Sequence, residues 1–445
     1  MAFYAESWLT EVLVALSLVV VAVYAWFSYS YKYWQRKGVP YLEPRFPFGN
    51  VYNSFVGKTS GPIELNEAYL QFKGQHFGGV YFFNRPSLMI VDPDLIRTIL
   101  VKDFWTFQDR GIKTNENEPL NGHLFLLGGN KWRRLRVKLT PTFTSGKMKM
   151  MFQTLADCGR EMGEVLEEPA SRGQVVEMRE LSARFATDVI ASVAFGVEVN
   201  CQRNPEAAFR QWGRRIFKQN FRNTLNSALT AINPKLLTLL SPKSNLTEVS
   251  HYFRKMVSDT VKYREDNGVT RNDFMHLLIQ LKNEGCVDSD RPGANKQKDE
   301  DDKWKTLRKY PPVMVLNRES NAEYRIPDSD VVLDKGTPII IPVYGLHHDP
   351  DIFPDPERFD PERFSEEQKA QRHPYVYLPF GEGPRICIGM RFGLVQTKVG
   401  LINILSRYRV EPSEKSVRHL SLEPRTFLMT PKGGIHLRLS KRSTA

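Results

Sequence analysis

Residues 380–389 read FGEGPRICIG. A single cysteine, Cys387, stands in a glycine-rich loop just ahead of a long amphipathic run, RFGLVQTKVGLINILSRYRV (391–410), that predicts a helix. Helix-start N–H groups and the helix dipole favour negative charge, so this is a place where a thiolate is stabilised. Gly381, Gly383 and Gly389 permit tight turns and close backbone approach. Arg385 is placed to meet an anionic cofactor edge, and Phe380 to cover the sulfur and keep water out. On this chemistry alone two readings stay open: a thiolate metal ligand, or a buried structural cysteine at a helix start.

The spacing F-x-x-G-x-R-x-C-x-G fixes five residues, each about one in twenty by usage, so chance alone gives about 10⁻⁴ in a chain of this length. This loop resembles the haem-binding loop of cytochrome P450 monooxygenases. The resemblance implies that Cys387 is the axial iron ligand of a haem b, its electron push favouring O–O cleavage. It also places Phe380, Arg385 and Gly389 at the cofactor. Further stretches agree. W-x-x-x-R occurs as Trp132 and Arg136, one helical turn apart, and in the family this pair binds a haem propionate; Arg318 is implied as a further propionate partner. PERF (361–364) matches the meander motif, with Arg363 as its arginine. FQDRG (107–111), LTPTFTSGKMKMMF (139–152) and TDVIASVAFG (187–196) resemble the insect microsomal branch that handles plant toxins and insecticides. Phe107, Phe125, Val315, Leu316 and Phe427 are implied pocket residues.

Outward from the loop, VYFF (80–83) and SLMIV (87–91) predict a hairpin, and Asp92 with Pro93 opens a helix. Residues 104–125 read as a long loop. Helices are expected at 130–143, 179–199 and 250–284. Strand-like pieces YRIP, VVL and PIIIPVY follow, then the Pro-rich run DPDIFPDPERFDPERF, and strands again at TFLMT and GIHLRL. The fold class is therefore mainly α with a smaller β part. Strands and helices do not alternate, which disfavours a doubly wound sheet. With the resemblance, a cytochrome P450-like fold is expected, incomplete in its centre.

The chain of 445 residues, 41% hydrophobic and 25% charged, is an ordinary globular mixture. Its four cysteines (158, 201, 286, 387) show no paired spacing, which argues against a disulfide framework, a zinc module or an iron–sulfur cluster. Net charge is +12. A solvated basic surface, an acidic protein partner and an anionic membrane all fit; no basic block interleaved with aromatics suggests nucleic acid. Residues 8–31, WLTEVLVALSLVVVAVYAWFSYSY, are long and apolar enough to cross a bilayer core of about 30 Å. Glu6 and Glu11 precede or open the run and Lys32, Arg36 and Lys37 follow it, which favours a retained anchor over a cleaved signal peptide and puts the bulk of the chain in the cytosol. The expected organisation is an anchor at 1–37, a stiff proline-rich linker at 38–50, the N-terminal part of a haem domain at 51–285, an atypical polar segment at 286–304, and the C-terminal part with the cysteine loop at 305–445. The resemblance implies the cytosolic face of the endoplasmic reticulum membrane. Its implied partners are small lipophilic substrates, an NADPH-dependent flavoprotein reductase and cytochrome b5. Lys131, Arg133, Arg134 and Lys138 are candidates to steer an acidic reductase, or simply a solvated face.

Two family parts are missing. TLRKYPP (306–312) resembles the end of the helix that carries Glu-x-x-Arg, with Arg308 as its arginine, but Lys305 stands where the glutamate belongs. A lysine there gathers three cations with Arg308 and Arg363, where breaking a buried ion pair alone costs about 3–5 kcal/mol. The oxygen-activating [Ala/Gly]-Gly-x-[Asp/Glu]-Thr string of the family's long central helix is also absent, and the polar run 286–304 stands where that helix belongs. Two functions follow. The first is a haem-thiolate monooxygenase. The alternative is a catalytically impaired or inactive membrane-anchored member of the same family, from a truncated isoform or a misassembled gene.

Overall fold

The computed structural model describes residues 2–112, 118–217, 246–284, 306–417, 420–424, 426 and 428–442. The polar segment 286–304, Lys305, Cys286 and Phe427 lie outside the described residues.

Helix α1 (Ala2–Tyr31) includes the apolar stretch Trp8–Tyr31, which is long and apolar enough to cross a membrane. Its apolar side chains, Leu13, Leu16, Val20 and Tyr24 among them, are exposed. The end of α1 is welded to the body. The Tyr81 hydroxyl donates to the Tyr31 carbonyl at 2.7 Å and accepts the Trp34 N–H at 3.1 Å. Trp34 is fully buried because Gly79 leaves room for it: a Cβ there would lie 2.4 Å from the indole. Residues 38–50 do not stand free as a spacer. Val39 is buried, Tyr41 and Gly49 form bridges to Gly79 and Phe82, and Phe46 packs back on Tyr24 and Phe27 of α1.

The hairpin forms as expected, from β1 (Phe77–Phe82) and β2 (Arg85–Ile90). Helix α2 (Gly61–Gln71) covers this side of the molecule, burying Leu65, Ala68 and Tyr69. In α3 (Pro93–Arg97) the Asp92 carboxylate accepts the Leu95 N–H at 2.7 Å, the cap the sequence calls for. Next come α4 (Gly129–Leu139), α5 (Ser145–Val165), the short strand β3 (Val175–Glu177), α6 (Met178–Ile190), α7 (Ala208–Phe217), α8 (Leu246–Asp266) and α9 (Phe274–Glu284). Helix α10 (Thr306–Lys309) is a single turn before Pro311. Beyond it lie β4 (Leu316–Glu319), β5 (Tyr324–Arg325), β6 (Val332–Leu333), β7 (Pro338–Ile341), α11 (Val343–His348), α12 (Met390–Leu405), β8 (Tyr408–Pro412) and β9 (His436–Lys441).

One sheet has the order β1-β2-β7-β4, with β2 and β7 parallel; a second has the order β3-β9-β8. One core joins the first sheet to Trp34, α2 and the residues around Leu100; the other joins α5, α6 and α12. The architecture is thus mainly helical with a smaller sheet part. Two details differ from the pattern. The run 391–410 is not one helix: α12 stops at Leu405, and Tyr408 starts a strand because β9 supplies its backbone partners and the Gly163 carbonyl accepts its hydroxyl proton at 2.7 Å. TFLMT contributes no strand among its described residues; the nearby pairing is the single bridge Leu422–Pro431.

His347 ties the two ends of the C-terminal part together. Its Nδ1–H donates to the Arg308 carbonyl at 3.1 Å, and its Nε2 accepts the Leu378 N–H at 2.9 Å. Complete burial, aided by His348, pushes its imidazole down to about 3. The unfolded chain takes up this proton near pH 6.5. The group's contribution is therefore intact above about pH 6.5 and is lost as pH falls toward 3, at no more than about 1.4 kcal/mol per pH unit. His347→Gln is expected to flatten the acid side of the stability curve, read as urea midpoints between about pH 6 and 4. An unchanged slope would remove His347 as the source.

Candidate functional site

The cysteine loop runs from Leu378 to the start of α12. Gly381 and Gly383 have φ of 73° and 74°, in the left-handed region. Gly383 also needs its missing side chain: a Cβ would sit 2.1 Å from the Leu100 carbonyl oxygen. Gly389 differs. Its φ is −90° and a Cβ would meet only Phe143 at 3.9 Å, so this backbone does not demand glycine there. The Cys387 N–H donates to the Phe380 carbonyl at 3.1 Å, and the Met390 N–H to the Cys387 carbonyl at 3.4 Å. It is the Phe380 carbonyl, through this turn, that is tied to Cys387. The Cys387 side chain is exposed, whereas Cys201 is buried and Cys158 half-buried. A structural core cysteine is therefore not what this loop holds.

Four guanidinium groups gather beside the loop, each from a different element. Arg385 is 3% exposed. Its Nη2 donates to the Leu127 carbonyl at 2.7 Å and its guanidinium lies 4.4 Å over the Trp132 ring. Arg136, one turn along α4 from Trp132, donates from Nη1 to the Ile386 carbonyl at 2.9 Å. Arg318, on β4, is 1% exposed and its Nη1 reaches only the neighbouring Asn317 carbonyl, at 2.8 Å. The fourth, Arg110, comes from the loop between α3 and α4 and lies 4.0 Å over the Phe125 ring. Trp132, Arg136, Arg318 and Arg385 are thus brought together. Arg110 was missed, although it sits inside the quoted FQDRG; nothing local marks it.

The electrostatics are unusual. Burial pushes Arg110 and Arg385 down to about 10 and Arg318 to about 9, and each is pushed further by its arginine neighbours. Arg136 is lowered by burial too, and the Cys387 thiolate charge raises both it and Arg110, which puts both cations near the sulfur. Asp109 pairs with this group, 3.7 Å from Arg385 and already accepting the Gly129 N–H at 2.7 Å. Buried donors are left over: Nε of Arg110, Nε of Arg318, and Nε and Nη1 of Arg385 have no acceptor. Buried N–H groups of a cation want anionic oxygens. A dianionic planar group next to an exposed thiol fits this set of donors, as haem with its two propionates does.

Of the implied pocket residues, Phe107 is fully buried against Tyr324 at 4.8 Å and Leu316 is 7% exposed, so both belong to the core of the first sheet. Val315 is half-buried against the same core, and Phe125 serves as the platform for Arg110. Arg308 and Arg363 lie together, away from the four arginines of the cysteine loop.

A sequence model of the family described as Cytochrome P450 matches residues 41–301 and 304–438. Among curated proteins, "Cytochrome P450 6k1" of Blattella germanica is 34% identical, with 98% of each chain covered. "Probable cytochrome P450 6a14" of Drosophila melanogaster is 35% identical, covering 96% of this chain and 99% of its own. "Cytochrome P450 6A1" of Musca domestica is 34% identical, covering 96% and 97%. The pairing with the cockroach protein extends over 516 positions, more than the 445 residues of this chain, so at least about 70 positions of the relative face no residue here. The break in the family match falls at residues 302–303, within the stretch DDKWK.

Proposed function

Because this chain belongs to the cytochrome P450 family and is by that membership a monooxygenase, we propose that it acts on small lipophilic molecules, such as xenobiotics, plant toxins and insecticides, with a haem b held by the Cys387 thiolate. The observation that carries the reading is the set of buried, acceptor-less arginine N–H groups gathered beside an exposed thiol. When bound, haem supplies the redox iron with which one atom of O2 enters the substrate while the other leaves as water, at a cost of two electrons and two protons.

The residues have separate tasks in this reading. The Cys387 sulfur would ligate the iron as a thiolate, with Arg110 and Arg136 the cations that act on it. Arg110, Arg136, Arg318 and Arg385 receive the propionates, and Trp132 braces the Arg385 guanidinium from below. Phe380 and Gly389 form the turn on either side of the ligand. The exposed cations Lys131, Arg133, Arg134 and Lys138 lie on α4, the helix whose Arg136 reaches the cysteine loop, and offer an acidic electron donor a docking face; an NADPH-dependent flavoprotein reductase is the expected donor, with cytochrome b5 as a second. The apolar α1, followed by Lys32, Arg36 and Lys37, suits a single anchor in the endoplasmic reticulum membrane with the haem domain, 51–285 and 305–445, on the cytosolic face.

A second reading is favoured by the break at 302–303 and by the positions of the relatives that have no counterpart here. It is a catalytically impaired or inactive membrane-anchored member of the family. A reduced carbon monoxide difference spectrum on membranes carrying this chain, followed by NADPH-driven turnover, separates the two. A strongly red-shifted Soret band with turnover supports the first reading. The same band without turnover supports the second. A chain with no thiolate band also supports the second and overturns the first.

A further inference from the structure

Helix α4 carries Trp132 and Arg136, so its start fixes where both meet the cysteine loop. That start has no cap of its own. Its N-cap position is Gly128, which has no side chain to accept a helix-start N–H. Asp109, 20 residues earlier than Gly129, supplies the acceptor: its Oδ1 accepts the Gly129 N–H at 2.7 Å. Gly128 makes room for it, since a Cβ there would lie 2.8 Å from the same oxygen. The Asp109 backbone is held in turn by β4. The Glu319 N–H donates to the Asp109 carbonyl at 2.8 Å, and the two residues form a bridge. Glu319 follows Arg318 in sequence, and Arg110 follows Asp109. Asp109 therefore sits where the elements that bring Arg110, Arg136 and Arg318 meet. Its Oδ1 also lies 3.7 Å from Nη2 of Arg385, which is too long for a hydrogen bond but close for two opposite charges.

The Arg385 Nη2 donates instead to the Leu127 carbonyl, and its buried Nε and Nη1 keep no acceptor. Asp109 thus weakens the positive field of the arginine group without filling the N–H groups that await an anion. Before the cofactor arrives, that charge offsets the repulsion among buried cations. Once an anion arrives, the same charge repels it. We propose that Asp109 is a positioning residue of the cofactor seat with two separable effects. Its hydrogen bond sets the start of α4, and its charge holds the affinity of the seat for an anionic cofactor below what the arginines alone would give. This inference deepens the haem reading and rests on it. What it adds is a carboxylate that works against propionate binding while keeping the empty seat folded.

Asp109→Asn separates the two effects, because the amide oxygen still accepts the Gly129 N–H while the charge is gone. The probe is metal-free protoporphyrin IX, which has the two propionates and no iron, so ligation by Cys387 does not enter. Its dimethyl ester is the neutral control. Binding to the purified full chain is followed by quenching of tryptophan fluorescence. Asp109→Asn is expected to bind protoporphyrin IX about 3–10-fold more tightly than the natural chain, with the ester unchanged. The porphyrin-free variant is expected to unfold at a lower urea concentration. Asp109→Ala, which also strips the cap, is expected to lose protection of the Gly129 amide from hydrogen exchange, whereas Asp109→Asn keeps it. A residue with a merely structural role would not tighten porphyrin binding while weakening the fold. Equal or weaker protoporphyrin binding by Asp109→Asn overturns the proposal, and so does an equal change with the ester. The carbon monoxide spectrum decides the haem reading separately. A thiolate band in a chain whose porphyrin affinity ignores Asp109 sinks this inference alone. Charge-dependent porphyrin binding without that band sinks only the ligation by Cys387. A natural chain that binds neither haem nor protoporphyrin overturns both.

Discussion

Cys387→Ser is expected to abolish the red-shifted carbon monoxide band and to weaken haem retention by more than the roughly 10–100-fold that loss of an outer partner costs a metal site. A thiolate is a soft anionic iron ligand, and serine has no comparable anion to offer. The substitution changes one atom on an exposed side chain. Folding stability is therefore expected to hold within about 0.5 kcal/mol, and the α12 start should be undisturbed, because the loop is set by backbone hydrogen bonds and by Gly381 and Gly383 rather than by the sulfur. The spectrum and the urea midpoint, measured on the same preparations, check both halves. An unshifted haem band with wild-type stability confirms ligation by Cys387. An unchanged red-shifted band would place the ligand elsewhere.

The parts of this site that were legible in the sequence are those whose chemistry is local. Cys387, its flanking glycines and the helix that follows occupy one short run, and Trp132 and Arg136 occupy a single helical turn. Arg110 was not legible, because it sits in a loop without periodicity and meets Arg318 only after the chain has passed through β4, some 200 residues later. Strand β4 was missed for a related reason. Its Asn317, Arg318 and Glu319 are polar yet Arg318 and Glu319 are buried, Arg318 among the other arginines and Glu319 in an ion pair with Arg85 at 2.8 Å. Hydropathy alternation cannot announce a strand buried at charged positions on both faces. The end of α12 was misplaced because the short stretch SRYRV (406–410) suits a helix end or an edge strand until β9 offers it partners. The polar texture gives way abruptly to TLRKYPP, and the family match pauses just before it, at residues 302–303.

Arg318→Met is expected to move stability and haem retention in opposite directions. Arg318 is a nearly inaccessible cation whose Nε has no acceptor and whose one hydrogen bond is to the carbonyl of the residue before it. Arg110 and Arg385 add repulsion to the cost of burial. Methionine fills a similar volume without charge, and replacing poorly compensated buried charge by apolar side chains is often neutral or stabilising, by about 1–4 kcal/mol. The haem-free chain should therefore gain about 1 kcal/mol, read as a urea midpoint. Once a propionate is present the balance inverts, because the same guanidinium then makes a charge-assisted hydrogen bond in a low-dielectric site. Haem loss to a scavenging apoprotein is expected to quicken by about 10–100-fold. If stability and retention fell together, Arg318 would be a structural residue and the arginine group would not be a seat for the cofactor. Opposite signs cannot arise from packing alone, which makes this the sharper of the two measurements on what the four arginines are for.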